Sequence, residues 1–131
     1  MAESKLTLEE RHTGDVTILI LTGQMLVDDG DLAFGRRIRD LVDRGFTKVV
    51  LDLGGVTHID SSGVGMLVAK LKTLKEKGGD MKLLHLNSRA ESLFGMLKLF
   101  IVFERFEDEA AAVRSCAWSA NGDSRAGPPS R

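Results

Sequence analysis

The sequence has little cysteine or proline, no long apolar run and no excess of one sign of charge. Its single cysteine, Cys116, excludes an internal disulfide and a thiolate cluster that could hold zinc or an iron–sulfur centre. A lone thiol fits a reducing, cytoplasmic compartment. The three histidines are far apart in the sequence, so we expect no structural metal site, and we expect no cofactor.

The balance of charges and the distribution of apolar residues argue against two kinds of partner. Lysine and arginine total 18 and aspartate and glutamate total 19, a balance that gives no clustered positive field for nucleic acid. The longest apolar run, residues 16–21, is far too short to cross a bilayer. Residues 1–10 lack a basic stretch followed by an apolar one, so we expect no secretory signal and no membrane association.

Alternating strand and helix patterns predict one α/β domain. A chain of 131 residues has room for one domain, and strand-like runs alternate with helical periods along most of it. The first two strands are separated by a short link, so we expect them to form an antiparallel hairpin. We therefore predict a mixed, mostly parallel sheet of four to five strands with about four helices. The predicted strands are residues 5–11, 16–21, 48–53, 81–86 and a short one at 101–103, and the predicted helices are residues 31–44, 62–77, 88–97 and 107–115.

The end of the sequence differs in character from the rest. Residues 117–131 contain both prolines and show no apolar periodicity. This composition is typical of a disordered segment. We therefore predict a folded domain over residues 1–116 and a disordered tail over residues 117–131.

The third predicted helix has its own start signal. Ser88 and Glu91 have the spacing of a capping box, in which each side chain bonds to the other residue's unpaired backbone amide. The helical period then predicts which apolar residues face the core. These residues are Ala90, Leu93, Phe94 and Leu97.

The most informative segment is the strand-to-helix junction at residues 60–65, with the sequence Asp-Ser-Ser-Gly-Val-Gly. A buried strand leads into it, and the most regular helical pattern of the chain, residues 62–77, begins there. A helix start presents unpaired backbone N–H groups and a partial positive charge, which stabilise an anion. A serine hydroxyl here would be exposed at the carboxyl edge of the sheet, where α/β proteins tend to bind partners.

Four interpretations of this junction are open from the residues alone. Ser61 or Ser62 could simply cap the helix. A nucleophile elbow would need a glycine where Asp60 stands, and only His85 could serve as its histidine, so we do not expect an enzyme. A phosphate-binding loop would need a longer glycine-rich run with a lysine, but the next lysine is Lys70. A regulated phosphoserine is the fourth interpretation, and the motif permits it.

The junction and its surroundings resemble the signature of the sulfate transporter and anti-sigma antagonist (STAS) domain. Residues 60–65 carry the resemblance together with the preceding Val-Val-Leu-Asp-Leu strand at residues 49–53. Gly23, the helix end at residues 75–79 and the acidic, alanine-rich stretch at 106–113 also match. The resemblance covers about residues 5–115, nearly all of the predicted domain, and it implies the STAS fold.

The resemblance also implies a function that is controlled by phosphorylation. In the family, the second serine of the Asp-Ser-Ser-Gly run is phosphorylated, and this serine corresponds to Ser62. The unphosphorylated protein binds an anti-sigma factor, often itself a serine kinase, and so frees a sigma factor. Phosphorylation ends that binding, and a serine phosphatase restores it. The chain would then be a bacterial, cytoplasmic, non-enzymatic regulator of transcription, often in a stress response.

The partner surface that the resemblance implies combines the junction with the loop after the second strand. Family members commonly carry an acidic residue soon after the glycine of this loop, whereas here Asp28 and Asp29 come later. Met25 could belong to an apolar docking patch or pack under the first helix. An alternative function is that of a STAS scaffold or subunit that is not phosphorylated, in a stress-sensing assembly or a lipid-transport complex. The residues predicted to bind the partner are Asp60, Ser61, Gly63, Val64, Gly65, Gly23, Gln24, Met25 and Asp28, beside the phosphorylation site Ser62.

Overall fold

The computed structural model describes residues 6–25 and 29–120, and the side chains of residues 6–25 and 33–116. Within these ranges, strands and helices follow the predicted order. A short 3-10 helix, Leu99–Ile101, precedes the last strand. The elements are β1 (Leu6–Thr13), β2 (Val16–Met25), α1 (Asp29–Asp43), β3 (Lys48–Ile59), α2 (Ser61–Glu76), β4 (Asp80–Leu84), α3 (Ser88–Met96), β5 (Arg105–Phe106) and α4 (Glu109–Ala120).

The strands form one mixed sheet in the order β1-β2-β3-β4-β5. β1 and β2 form the predicted antiparallel hairpin, with Thr13 opposite Val16 at its closed end. The other three neighbouring pairs are parallel, because a helix connects the two strands in each case. The prediction of a mixed, mostly parallel sheet with about four helices is therefore confirmed.

Each face of the sheet carries its own apolar core. Successive strand residues point to opposite faces, so Leu19 packs in one core and its neighbour Ile18 packs in the other. Helices α1, α2 and α3 cover the first core, whereas α4 covers the second. A sheet that is buried on both faces needs apolar residues at consecutive strand positions, which explains the continuous apolar runs in the sequence.

Cys116 lies in the second core, where α4 packs on the sheet. Its side chain is fully buried. Burial raises the pKa of the Cys116 thiol to about 12. The thiol therefore stays protonated at neutral pH and behaves as a small apolar side chain, since the thiolate is the reactive form.

The predicted strand at residues 101–103 is wrong. This segment forms the end of the 3-10 helix and a turn, and the short strand β5 comes two residues later. The reason is the left-handed conformation of Lys98, with a φ of 59°, which separates the end of α3 from the 3-10 helix that takes up the start of the predicted strand. Leu97, which the helical period predicted to face the core, is exposed because α3 already ends at Met96.

The start of α3 also differs from the prediction. Its cap is Asn87, whose side chain accepts a hydrogen bond of 2.8 Å from the backbone N–H of Ala90. Ser88 is the first helical residue, and the Glu91 carboxylate pairs with Arg105 at 3.0 Å. Asparagine caps a helix as well as serine does, so the cap lies one residue before the predicted Ser88.

Helix α4 extends through Ala120, so the predicted domain boundary at residue 116 falls inside a helix. Alanine favours helix more than any other residue, and alanines at 117 and 120 fit this extension. The rest of the predicted tail, residues 121–131, lies outside the described residues. No helix in the described part of the chain is long and apolar enough to cross a membrane.

Candidate functional site

The predicted junction lies at the tip of a two-stranded extension of the sheet. The last residue of β4 pairs with Asp52 of β3, so the remainder of β3 has only β2 as a neighbour. In this extension Gln24 pairs with His58, and Met25 pairs with Ile59. Part of the segment predicted as a loop after the second strand is thus strand, and it brings residues 23–25 beside the junction at 60–65.

Irregular pairing and one side-chain bond shape the end of this extension. The register between β2 and β3 shifts near Ile20 and again after Gly23, whose φ is 114°. Such shifts bend a strand and increase its twist. The Thr57 hydroxyl donates a hydrogen bond of 3.1 Å to the Gly23 carbonyl, which fixes the bent segment to β3. Thr57 was not predicted as a site residue, since a threonine in a strand carries no signal of such a bond.

Asp60 caps helix α2. Its backbone is extended, and its Oδ1 accepts a hydrogen bond of 2.9 Å from the backbone N–H of Gly63. Its carbonyl oxygen accepts the first helical bond, from the N–H of Val64 at 3.0 Å. The interpretation of Ser61 or Ser62 as the cap is therefore wrong, because the aspartate before them already occupies that position.

The aspartate cap leaves both serine hydroxyls available. Ser61 and Ser62 are the first two residues of α2, and both are exposed. Within the described parts of the chain, neither hydroxyl has a hydrogen-bond partner. Helix starts leave their first backbone N–H groups unpaired, and here the carboxylate satisfies only that of Gly63. An anion placed on either serine would therefore meet unpaired amides and the positive end of the helix.

The two glycines of the junction have opposite surroundings. Gly63 is buried against the end of β2, and a Cβ atom there would overlap the carbonyl oxygen of Met25. Gly65 is exposed, and a Cβ atom there would meet nothing within 4 Å. Gly63 thus lets the start of α2 touch the backbone of β2, whereas Gly65 leaves open space on the outer face of the helix.

The structure brings together eight of the nine residues predicted to bind the partner, and it divides them into a surface and a support. Ser61 and Gly65 are exposed with Ser62, and Asp60, Gly23 and Gln24 are partly buried. Gly63 is buried, as are the side chains of Met25 and Val64, so these residues support the site from inside the domain. Met25 and Val64 pack in the core of α1–α3, so their side chains are not part of the exposed surface, and their role in binding a partner stays a prediction. Asp28 lies outside the described residues.

A second bond ties this region to the neighbouring helix. The Asn87 side-chain amide, besides capping α3, donates a hydrogen bond of 2.9 Å to the carbonyl oxygen of Val56 in the extension. One side chain thereby positions α3 and the strand that leads to Asp60. The asparagine stands directly before a predicted helix start, and this was the available signal for its capping role.

The cap makes a first prediction about stability. Asp60→Ala removes the oxygen that bonds the Gly63 N–H, so we expect the free energy of unfolding to fall by about 1 kcal/mol. Asp60→Asn keeps a side-chain acceptor of equal capping quality, so it should lose much less. Urea unfolding at pH 7 measures both. A loss from the asparagine variant as large as that from the alanine variant would show that the charge, not the cap, matters.

The model of the STAS domain family matches residues 7–112. The chain belongs to the STAS-domain family. Among named relatives, an anti-sigma F factor antagonist of Paenibacillus polymyxa is 27% identical over 108 residues, which cover 82% of this chain and 92% of the relative. The resemblance that the sequence indicated is thus confirmed.

Solved STAS-domain structures agree with this fold. An anti-sigma factor antagonist from Mycobacterium paratuberculosis superposes with a TM-score of 0.72 at 18% identity, covering 86% of this chain and 94% of that one. The Bacillus cell fate determinant SpoIIAA in its phosphorylated form superposes with a TM-score of 0.66 at 19% identity, and the match covers 83% of this chain and 99% of that one. At these identities the structures establish the shared fold.

Proposed function

We propose that this STAS domain is an anti-sigma-factor antagonist whose binding is switched off by phosphorylation of Ser62. The observation that carries the proposal is the Ser62 hydroxyl, which is exposed without a hydrogen-bond partner in the described residues at the start of a helix that Asp60 caps. A kinase can reach such a hydroxyl without first breaking a bond inside the domain. The names of the relatives support the general role.

The local structure favours a phosphate on Ser62 in the isolated domain. The phosphoryl group carries about −1.5 to −2 charges at neutral pH. The unpaired amides of the first helical turn and the helix dipole stabilise such an anion. The hydroxyl has no role in the cap, so its modification breaks no hydrogen bond of the described structure. We therefore expect the modified domain to keep its fold.

The same phosphate opposes a partner that docks over the junction. The Asp60 carboxylate already places one negative charge beside Ser62, and the phosphate would add a larger one. A docked partner would have to remove water from both anions, and any acidic group that it brings would be repelled. A local change in charge thus becomes a change in affinity.

The proposed cycle follows from this difference. The unphosphorylated domain binds an anti-sigma factor that is also a serine kinase, and the bound sigma factor is released. The kinase then transfers a phosphoryl group from ATP to the Ser62 oxygen, the complex dissociates, and a serine phosphatase restores the hydroxyl. In this cycle, which takes place in the cytoplasm, the chain is a substrate and a ligand and not a catalyst. Structures of the neighbour SpoIIAA are known in an unphosphorylated and in a phosphorylated form, which supports such a cycle in the family.

Mass spectrometry tests the assignment of Ser62. After incubation with a kinase encoded beside this protein and magnesium ATP, we expect one phosphoryl group, placed on Ser62 by fragmentation of the peptide. Ser62→Ala should remain unmodified. Thr13→Ala removes an exposed hydroxyl at the end of β1, opposite Val16 and far from the junction, so it should be modified like the wild type. A phosphoryl group on Ser61 instead, or full modification of Ser62→Ala, would contradict the assignment, and no modification at all would favour the scaffold function.

A further inference from the structure

A second surface of the domain exposes large apolar side chains. In the described residues, four of the five exposed large apolar side chains lie within seven positions at the end of α3. Their exposed fractions are 70% for Met96, 42% for Leu97, 82% for Ile101 and 49% for Val102. We call these four residues the α3-end surface. Exposed apolar residues that cluster in one short segment mark interaction sites more often than scattered single ones do.

The backbone holds the α3-end surface in place. The 3-10 helix bonds the N–H groups of Val102 and Phe103 to the carbonyl oxygen of Leu99, at 3.0 and 2.9 Å. The neighbouring ring of Phe100 lies against Phe94 of the core, with centroids 6.0 Å apart. These contacts fix the 3-10 helix to the core, and the ordered backbone of the turn keeps the α3-end side chains directed toward solvent.

The α3-end surface is separate from the Ser62 site. Helix α3 begins beside the site, where Asn87 bonds to Val56 of the extension. Its nine residues then carry the chain about 13 Å away, at 1.5 Å per residue. A partner on the α3-end surface therefore need not contact Ser62.

The charges around the α3-end surface point to the chemistry of its partner. Within residues 91–105 both carboxylates are already paired, Glu91 with Arg105 at 3.0 Å and Glu104 with Lys82 at 2.5 Å. Lys98, between Leu97 and the 3-10 helix, is exposed and has no ion pair among the described residues. The surface is therefore apolar with one unpaired positive charge.

We propose that the α3-end surface binds an amphipathic helix of a partner protein. The apolar side chains of that helix pack against Met96, Leu97, Ile101 and Val102, and one of its carboxylates pairs with Lys98. Such a helix covers the apolar residues and supplies the missing negative charge. A second copy of this chain fits less well, because a two-fold contact would bring Lys98 near its own counterpart. An anionic membrane is attracted by clusters of four to eight basic residues, whereas this surface has one unpaired lysine.

Titration of the full-length protein with two designed peptides tests the proposal. Both peptides are helical with the same apolar stripe, and the polar residues are glutamate in one and lysine in the other. We expect the acidic peptide to shift the amide NMR signals of residues 96–102 and to bind at least about tenfold more tightly than the basic one. Ile101→Ser should weaken that binding about tenfold. Val68→Ser, a matched change at the fifth exposed apolar residue, should leave it unchanged.

Several results would overturn this assignment. They are the absence of saturable binding by the acidic peptide, equal binding of both peptides, or signal shifts outside the α3-end surface. Sedimentation velocity should show a monomer, and self-association that Ile101→Ser abolishes would assign the surface to a second copy. Flotation with phosphatidylglycerol vesicles that depends on Ile101 would assign it to lipid. Neither kinase nor ATP enters these assays, so their outcome is independent of the Ser62 proposal.

Discussion

Ser62→Asp is expected to weaken binding to the cognate anti-sigma kinase by about 100-fold, while Ser62→Ala binds like the unphosphorylated wild type. The aspartate places a fixed charge next to the Asp60 cap, on the exposed surface that we propose the partner covers. Like charges brought together at an interface cost several kcal/mol, and about 2.7 kcal/mol corresponds to this loss. Calorimetric titration of the purified kinase with each variant measures the effect.

A charge control separates the position of the new carboxylate from its contribution to net charge. Thr13 is exposed at the closed end of the β1–β2 hairpin, ten strand residues or about 30 Å from the junction. Thr13→Asp should therefore bind the kinase as the wild type does. Equal affinities of Ser62→Asp and Ser62→Ala would contradict the switch, and equal losses in Ser62→Asp and Thr13→Asp would attribute it to net charge.

The stability of Ser62→Asp distinguishes a switch from a folding defect. An acidic residue in the first turn of a helix is stabilised by the dipole, so the variant should unfold at the same or slightly higher urea concentration. Its loss of affinity should also shrink as salt rises from 0.1 M to 1 M, because the screening length falls from about 10 Å to about 3 Å. A domain that lost binding through unfolding would show neither behaviour.

The sequence was a good guide to the architecture because hydrophobic periodicity reports burial directly. Strands that are covered on both faces must be apolar at consecutive positions, and helices that cover one face must be apolar every three to four residues. These two rules predicted the mixed sheet and its helices. They failed at residues 101–103, where the exposed Ile101 and Val102 precede the buried Phe103 on a turn, since periodicity alone does not separate an exposed apolar turn from a buried strand.

The sequence indicated the strand-to-helix junction, but it did not indicate the internal geometry of that junction. Aspartate, asparagine and serine cap helices about equally well, so the pattern did not indicate that Asp60 and Asn87 take the caps from their serine neighbours. The extension of β2 past Gly23 depends on shifts in strand register and on the Thr57 bond, which are long-range features. Met25 and Val64 lie in or beside the motif, yet only the tertiary packing shows that their side chains are buried.

Gly63→Ala and Gly65→Ala make the same chemical change two residues apart, and we expect opposite effects. At Gly63 the added methyl group overlaps the Met25 carbonyl oxygen, so α2 or the end of β2 must move. Overpacking of this kind costs about 1–3 kcal/mol, and an overlap with backbone belongs at the upper end. The higher helix propensity of alanine over glycine offsets roughly 1 kcal/mol of this cost. The expected net loss in the free energy of unfolding, measured in urea, is therefore about 2 kcal/mol.

At Gly65 the methyl group points into open space, so only the helix propensity changes. We expect a gain in stability of about 0.5–1 kcal/mol there, and therefore a difference of about 3 kcal/mol between the two variants. Gly63→Ala should also slow phosphorylation of Ser62, because the displaced helix start no longer presents the hydroxyl in the same place. Equal stabilities of the two variants would mean that the start of α2 does not rest on the backbone of β2, and the positioning of Ser62 by that contact would have to be abandoned.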